Sequence, residues 1–164
     1  MGSSADTLFA DCFAHSRPGR PTAEWQPLAD HLHQVAERAA QFAAPFGSAD
    51  WGRAAGWLHD VGKAASAFQG YLRRANDLDD TGYDAGEVNH SSAGAALAEE
   101  RFGPFAGRAL AYLAAGHHAG LPDYHTAATG NAALVVRLGD GRAQTRCLGP
   151  HLAGLIARLP SALH

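Results

Sequence analysis

The chain predicts an all-α fold, a single helical bundle, and three observations carry that expectation. Apolar residues recur three and four positions apart in segment after segment; glycine and proline fall between those segments; and no internal repeat or linker divides the 164 residues. That length suits one domain, which buries roughly 70% of its unfolded surface and needs no disulfide. Residues 1–22, rich in Gly, Ser and Pro and without a clear period, are expected as an N-terminal arm, and 23–164 as the domain.

The first helix is expected over Trp25–Phe46. Leu28, Leu32, Val35, Ala39 and Phe42 share one face, while Asp30, Glu37, Arg38 and Gln41 lie elsewhere. Gly47 ends it, Ser48 or Asp50 caps the next, and Trp51–Val61 forms a second helix closed by Gly62. A third, Lys63–Arg74, carries Phe68, Tyr71 and Leu72. Asn76–Glu87 is an acidic loop. Its Asp77–Gly82 run begins like a calcium loop, but the twelfth position is Val88 rather than Glu, so that reading fails. A fourth helix spans Ser91–Phe102, and Pro104 opens a fifth that reaches Gly116 or His118. Leu134–Leu138 and Arg142–Leu148, on either side of Gly139-Asp140-Gly141, read either as a small hairpin or as helix. Pro150–Leu159 closes the chain as an amphipathic helix with Leu152, Leu155, Ile156 and Leu159 on one face.

Bulk properties exclude several classes. Cys12 and Cys147 are the only cysteines and stand far apart, which argues against a disulfide scaffold and a structural zinc finger. Met1–Asp11 lacks a secretory pattern, and no apolar run approaches the ~18 residues that span a bilayer. The expectation is a cytoplasmic protein with no membrane partner. A net charge of -3 argues against general nucleic-acid coating. It leaves room for a local site, because bound cations supply the charge that phosphates need.

Ten histidines sort into two classes by placement. His31, between Leu28 and Val35, points to the buried side of its helix; His33, about 200° away, faces water. His59-Asp60 ends the second helix, and neighbours about 100° apart can bring a ring nitrogen and a carboxylate to one cation, with space left beside Gly62. His90 opens the fourth helix. His117-His118 closes the fifth after an Ala-rich face, where unpaired imidazoles are costly to bury. Each fragment alone is weak, and a lone inward histidine is usually a hydrogen-bonded core residue. The ordered series of His31, His59-Asp60, His90 and His117-His118 points to a metal site. Lys63, the only lysine, stands three residues after Asp60, where a phosphate contact or a carboxylate orienter suits it. Arg73, Arg74, Arg137, Arg142, Arg146 and Arg158 read equally as phosphate contacts and as solvated surface.

These residues resemble the HD nuclease domain of the CRISPR-associated helicase-nucleases of type I systems. The strings that carry the likeness are Ala14-His15-Ser16, Trp25-Gln-Pro-Leu-Ala-Asp-His31-Leu32, Leu58-His-Asp-Val-Gly-Lys63 with Phe68-Gln-Gly-Tyr-Leu72, Asn89-His-Ser-Ser-Ala-Gly-Ala95 and Gly116-His-His-Ala-Gly-Leu-Pro-Asp123. The last is the most characteristic. The resemblance covers Ala14 to Asp123 and implies an all-helical HD-domain bundle, which favours helix near the C-terminus. It also implies cleavage of single-stranded DNA, with a fused or separate helicase that receives its target from an RNA-guided surveillance complex. Carried over, Asp60 bridges two metals, His31 and His59 share one, and His90, His117 and His118 hold the other. Asp60, His59 and Lys63 form the expected catalytic set. One or two divalent transition metal ions are expected, with Mn, Fe, Co or Ni suiting imidazole donors better than Mg. The chemistry is in-line attack on phosphorus, with cations stabilising the phosphoryl oxygens.

One departure stands out. The family pattern adds an aspartate on a later helix to the first metal's shell, and after Asp123 this sequence has Asp140 as its single acid. The expectation is a domain truncated or incomplete at its C-terminal end, with the first metal weakly held. Two alternatives stay open: an HD phosphohydrolase acting on nucleotides or cyclic nucleotides, and a catalytically degenerate metal-binding or interaction module.

Overall fold

The structure, a computed structural model, describes residues 8–78, 88–125 and 130–163. It is an all-α bundle of α1 (Leu28–Ala43), α2 (Ala49–Leu58), α3 (Ser66–Arg74), α4 (Ser91–Phe102), α5 (Arg108–Gly116), α6 (Leu134–Arg146) and α7 (His151–Ile156). Among the described residues the strands are β1 (Phe13–His15) and β2 (Gln26–Pro27), paired antiparallel. Residues 79–87, most of the expected acidic loop, lie outside the described residues.

The first helix begins at Leu28, three residues later than expected. Gln26 precedes Pro27, and a residue before proline is driven out of the α region; Pro27 itself sits extended at φ -60°, ψ 140°. Trp25 instead packs with Phe68 and Leu72 in a small satellite core. The inward face of α1 is also rotated from the expected one. Leu28, Leu32, Ala36 and Ala40 are buried, whereas Phe42 is 68% exposed. The cause is α2, which approaches so closely that only small residues fit. A Cβ on Gly56 would lie 2.3 Å from the Ala36 Cα, and one on Gly52 would lie 2.4 Å from the Ala39 carbonyl oxygen. The crossing therefore selects the alanine stripe over the larger side chains.

The second helix stops at Leu58, and Asp60, at φ -116° and ψ 10°, leads into a single 3-10 turn, Val61–Ala64. The third helix thus starts at Ser66 rather than Lys63, after an extended Ala65. Ahead of α5, Gly103–Gly107 form a π-helical turn. The C-terminal alternative resolves as helix: Leu134, Leu138, Gly141 and Thr145 are buried on one face of α6, which packs on α4. Asp140 is consequently on a helix and not in a turn.

The segment expected as an arm is partly body. Phe9 and Ala14 are each 1% exposed and belong to the main core with Leu8 and Cys12. Gln69 holds this segment down: its amide donates to the carbonyls of Phe13 and Lys63 at 2.9 and 2.7 Å and accepts from the Phe13 N–H at 3.0 Å.

Candidate metal centre

Four helix ends converge at one end of the bundle. His31 comes from the first turn of α1, His59 and Asp60 from the end of α2, His90 from the start of α4, and His117 and His118 from the end of α5. Close backbone packing sets their registers. A Cβ on Gly94 would lie 1.8 Å from the carbonyl oxygen of Leu58, and one on Gly62 would lie 2.0 Å from that of His90. The chain therefore runs backbone against backbone on both sides of Asp60.

Asp60 is 3% exposed and divides its two oxygens between two sets of rings. Its Oδ2 lies 3.0 Å from His31 Nε2 and 3.3 Å from His59 Nε2. Its Oδ1 lies 3.1 Å from His117 Nε2 and 3.3 Å from His90 Nε2. His118 completes the second set, its Nε2 2.9 Å from that of His90. The expected residues thus all meet. They form two donor groups, His31–His59–Asp60 and Asp60–His90–His117–His118, each with ligand atoms within 4.8 Å of one another. Asp140 is in neither group.

The ring tautomers show what this arrangement accepts. A carbonyl oxygen only accepts, so His59 Nδ1 donates to Gly56 O at 2.7 Å, His117 Nδ1 to Ala114 O at 2.7 Å and His90 Nδ1 to Val88 O at 3.2 Å. Each Nε2 therefore faces inward, where it carries either a proton donated to Asp60 or, once that proton leaves, a lone pair for a cation. The Nε2 atoms of His31 and His59 face each other at 3.2 Å. Lone pairs on both nitrogens would repel unless a proton or a cation lay between them. Donors bound about 2.1 Å from one metal stand roughly 3.0–3.4 Å apart, which matches these separations. The donor set could hold a divalent metal.

Burial alone would raise the Asp60 pKa, but hydrogen bonds from His117, His31, His59 and His90 outweigh it and hold the carboxyl well below the usual carboxylate range. It is an anion at any working pH. Burial likewise pulls His117 down, yet its bonds to Asp60 and to the Ala114 carbonyl leave it raised. His118 is lowered, by burial first and then by the neighbouring His117 and His90 rings.

Lys63 is neither exposed nor aimed at solvent. It is 5% exposed, with Nζ 2.9 Å from Asp60 Oδ2 and 3.3 Å from the carbonyl of Ala14. It orients the shared carboxylate. His33 is exposed, as its helical phase predicts. Three neighbours lie outside the sequence-based ligand and catalytic set, of which Arg137 reads in the sequence as either a phosphate contact or solvated surface. The His15 ring sits 5.0 Å from that of His31, with Nε2 3.5 Å from Lys63 Nζ and Nδ1 donating to Gln26 at 2.7 Å. Its only sequence signal is the Ala14-His15-Ser16 string. Asn89 accepts the N–H groups of Ser91 and Ser92 through Oδ1 at 3.2 and 3.3 Å and so caps the helix behind His90. Arg137, from α6, lines a small cavity with His90 and His118.

A carboxylate shared between two imidazole sets at the meeting point of helix ends is a candidate metal centre of the HD type. The family model "Cas3, HD domain" matches residues 14–148. The chain belongs to that family, CRISPR-associated nucleases that are metal-dependent hydrolases. No curated protein matches it significantly. No helix among the described residues is long and apolar enough to cross a membrane.

Proposed function

We propose that this chain is the metal-dependent nuclease of a type I CRISPR system, cleaving single-stranded DNA that a fused or separate helicase delivers from the RNA-guided surveillance complex. The division of Asp60 between two histidine sets carries this reading, on a chain of the Cas3 HD family. His31, His59 and Asp60 would hold one divalent cation; Asp60, His90, His117 and His118 would hold the other. Mn, Fe, Co or Ni suits these donors better than Mg. Bound there, the pair would supply a nucleophile at neutral pH and neutralise charge on the phosphoryl oxygens. The protein's own part is orientation. Lys63 pins the Asp60 carboxylate, and the Nδ1–carbonyl bonds of His59, His90 and His117 fix their rings. A groove of about 440 Å³ beside His59 and His117, walled by Val35, Ala55, Leu113 and Leu121, suits an unpaired base next to the scissile phosphate.

The test is incubation with linear and circular single-stranded DNA plus Mn²⁺, with His59→Ala as control. Metal-dependent cleavage by the wild type and none by the variant is the expected result. A protein that binds Mn²⁺ and leaves every single strand intact removes the nuclease reading. The same groove, sized for one nucleoside, favours a second reading in which the centre hydrolyses nucleotides or cyclic nucleotides. Turnover of such compounds with polymeric DNA spared would establish it.

A further inference from the structure

We infer that Arg137 is a phosphate-receiving residue of the metal centre, placed to hold a backbone phosphate of the nucleic-acid strand beside the His90–His118 side. The inference rests on the proposed function and names a contact beyond the ligand set. Arg137 lies in the first turn of α6, and its guanidinium reaches across to the two helix ends that present the second histidine group. One terminal nitrogen donates to the carbonyl of Ala115, two residues before His117; the other donates to Ser91 Oγ at 3.1 Å, next to His90. The guanidinium is therefore held in one orientation before any ligand arrives.

No carboxylate lies within 4 Å of it among the described residues. Arg53 pairs with Glu37 and Asp50, Arg108 and Arg142 pair with Glu99, and Arg17 and Arg20 pair with Glu24, but among the described residues the acceptors of Arg137 are neutral. An arginine has five N–H donors, so two bonds leave three unused. It lines, with Asn89, His90, Ser91 and His118, a cavity of about 270 Å³ that has no acidic side chain among its described lining residues. The amides at the start of α4 are already taken, Ser91 and Ser92 N–H both donating to Asn89. Among the described residues, the guanidinium is the arginine or lysine donor facing this cavity. A half-buried, pre-oriented cation with no counterion among the described residues is suited to bind a tetrahedral oxyanion through charge-assisted hydrogen bonds.

Arg137→Gln and Arg137→Lys in the full chain, loaded with Mn²⁺, separate this role from a structural one. Elemental analysis and calorimetry give Mn²⁺ binding, and calorimetry with inorganic phosphate and with a short oligothymidine gives anion binding. The expected result is Mn²⁺ affinity within about twofold of wild type and phosphate and oligothymidine affinity lower by about tenfold in Arg137→Gln, with a smaller loss in Arg137→Lys. Unchanged phosphate affinity overturns the inference. So does a parallel fall in Mn²⁺ affinity, which would make Arg137 a tie between helix ends alone, and so does loss confined to free phosphate with oligothymidine spared. Should the variants fail to fold, the wild type answers instead: phosphate is expected to slow phenylglyoxal modification of Arg137, read by mass spectrometry, and an unaltered rate overturns the inference. Failure of the metal-centre reading shows separately, as no bound Mn²⁺ in the wild type, and would take the phosphate contact with it.

Discussion

Asp60 offers one oxygen to His31 and His59 and the other to His90 and His117, so one side chain is shared by both candidate donor groups. Asp60→Asn removes the shared charge, and Mn²⁺ titration by calorimetry should find both sites lost. His118→Ala strips only the second group, so one site should survive. Without metal, Asp60→Asn also leaves the buried Lys63 ammonium facing no carboxylate. Stability should fall by about 3–5 kcal/mol in urea unfolding. The buried lysine illustrates what residue type alone conceals. Its uniqueness in the sequence marked Lys63, yet only the fold shows that it meets Asp60 and the Ala14 carbonyl. His15 is the converse: it meets the His31 ring edge to face from a segment that carries no helical period.

Helix contacts in this bundle are made through glycine and alanine, and that explains which elements were legible. The fourth helix follows its apolar and Gly-Pro punctuation from Ser91 to Phe102 as expected. The first does not, because the close approach of Gly52 and Gly56 brings Ala36 and Ala40 inward and leaves Phe42 outside. Periodicity ranks positions by side-chain hydrophobicity, whereas this crossing ranks them by smallness. Gly62→Ala should push its Cβ into the His90 carbonyl, 2.0 Å away, and displace the second histidine group. The expected outcome is loss of one Mn²⁺ equivalent with the first group still binding. Within α6 the two glycines should part company. Gly139 meets nothing within 4 Å, so Gly139→Ala should stabilise by about 0.5–1 kcal/mol, seen as a melting temperature raised by roughly 1–4 °C. A Cβ on Gly141 would lie 2.1 Å from the Ser92 carbonyl, and Gly141→Ala should lower the melting temperature and loosen α6 from α4.

At the scale of the whole molecule, the metal centre and the fold are one arrangement. The donors come from α1, α2, α4 and α5, and cations that bind only when these ends meet must stabilise the native state. Mn²⁺ at about a hundred times its dissociation constant should add about 2.7 kcal/mol, a rise of roughly 5–10 °C in melting temperature that EDTA reverses. A melting temperature indifferent to both would argue against a centre built from separate elements. The sequence by itself determined the helical class, most helix positions and the six ligand candidates. Those follow from local rules: a period near 3.6, glycine and proline as punctuation, and histidines set at helix ends. The tertiary structure decided which face of α1 turns inward, that Leu8, Phe9, Cys12 and Ala14 join the core, that the segment around Asp140 is helix, and that Arg137 faces the site. Each of these depends on how closely two distant backbones can approach, a distance fixed by the pair in contact and absent from either segment alone.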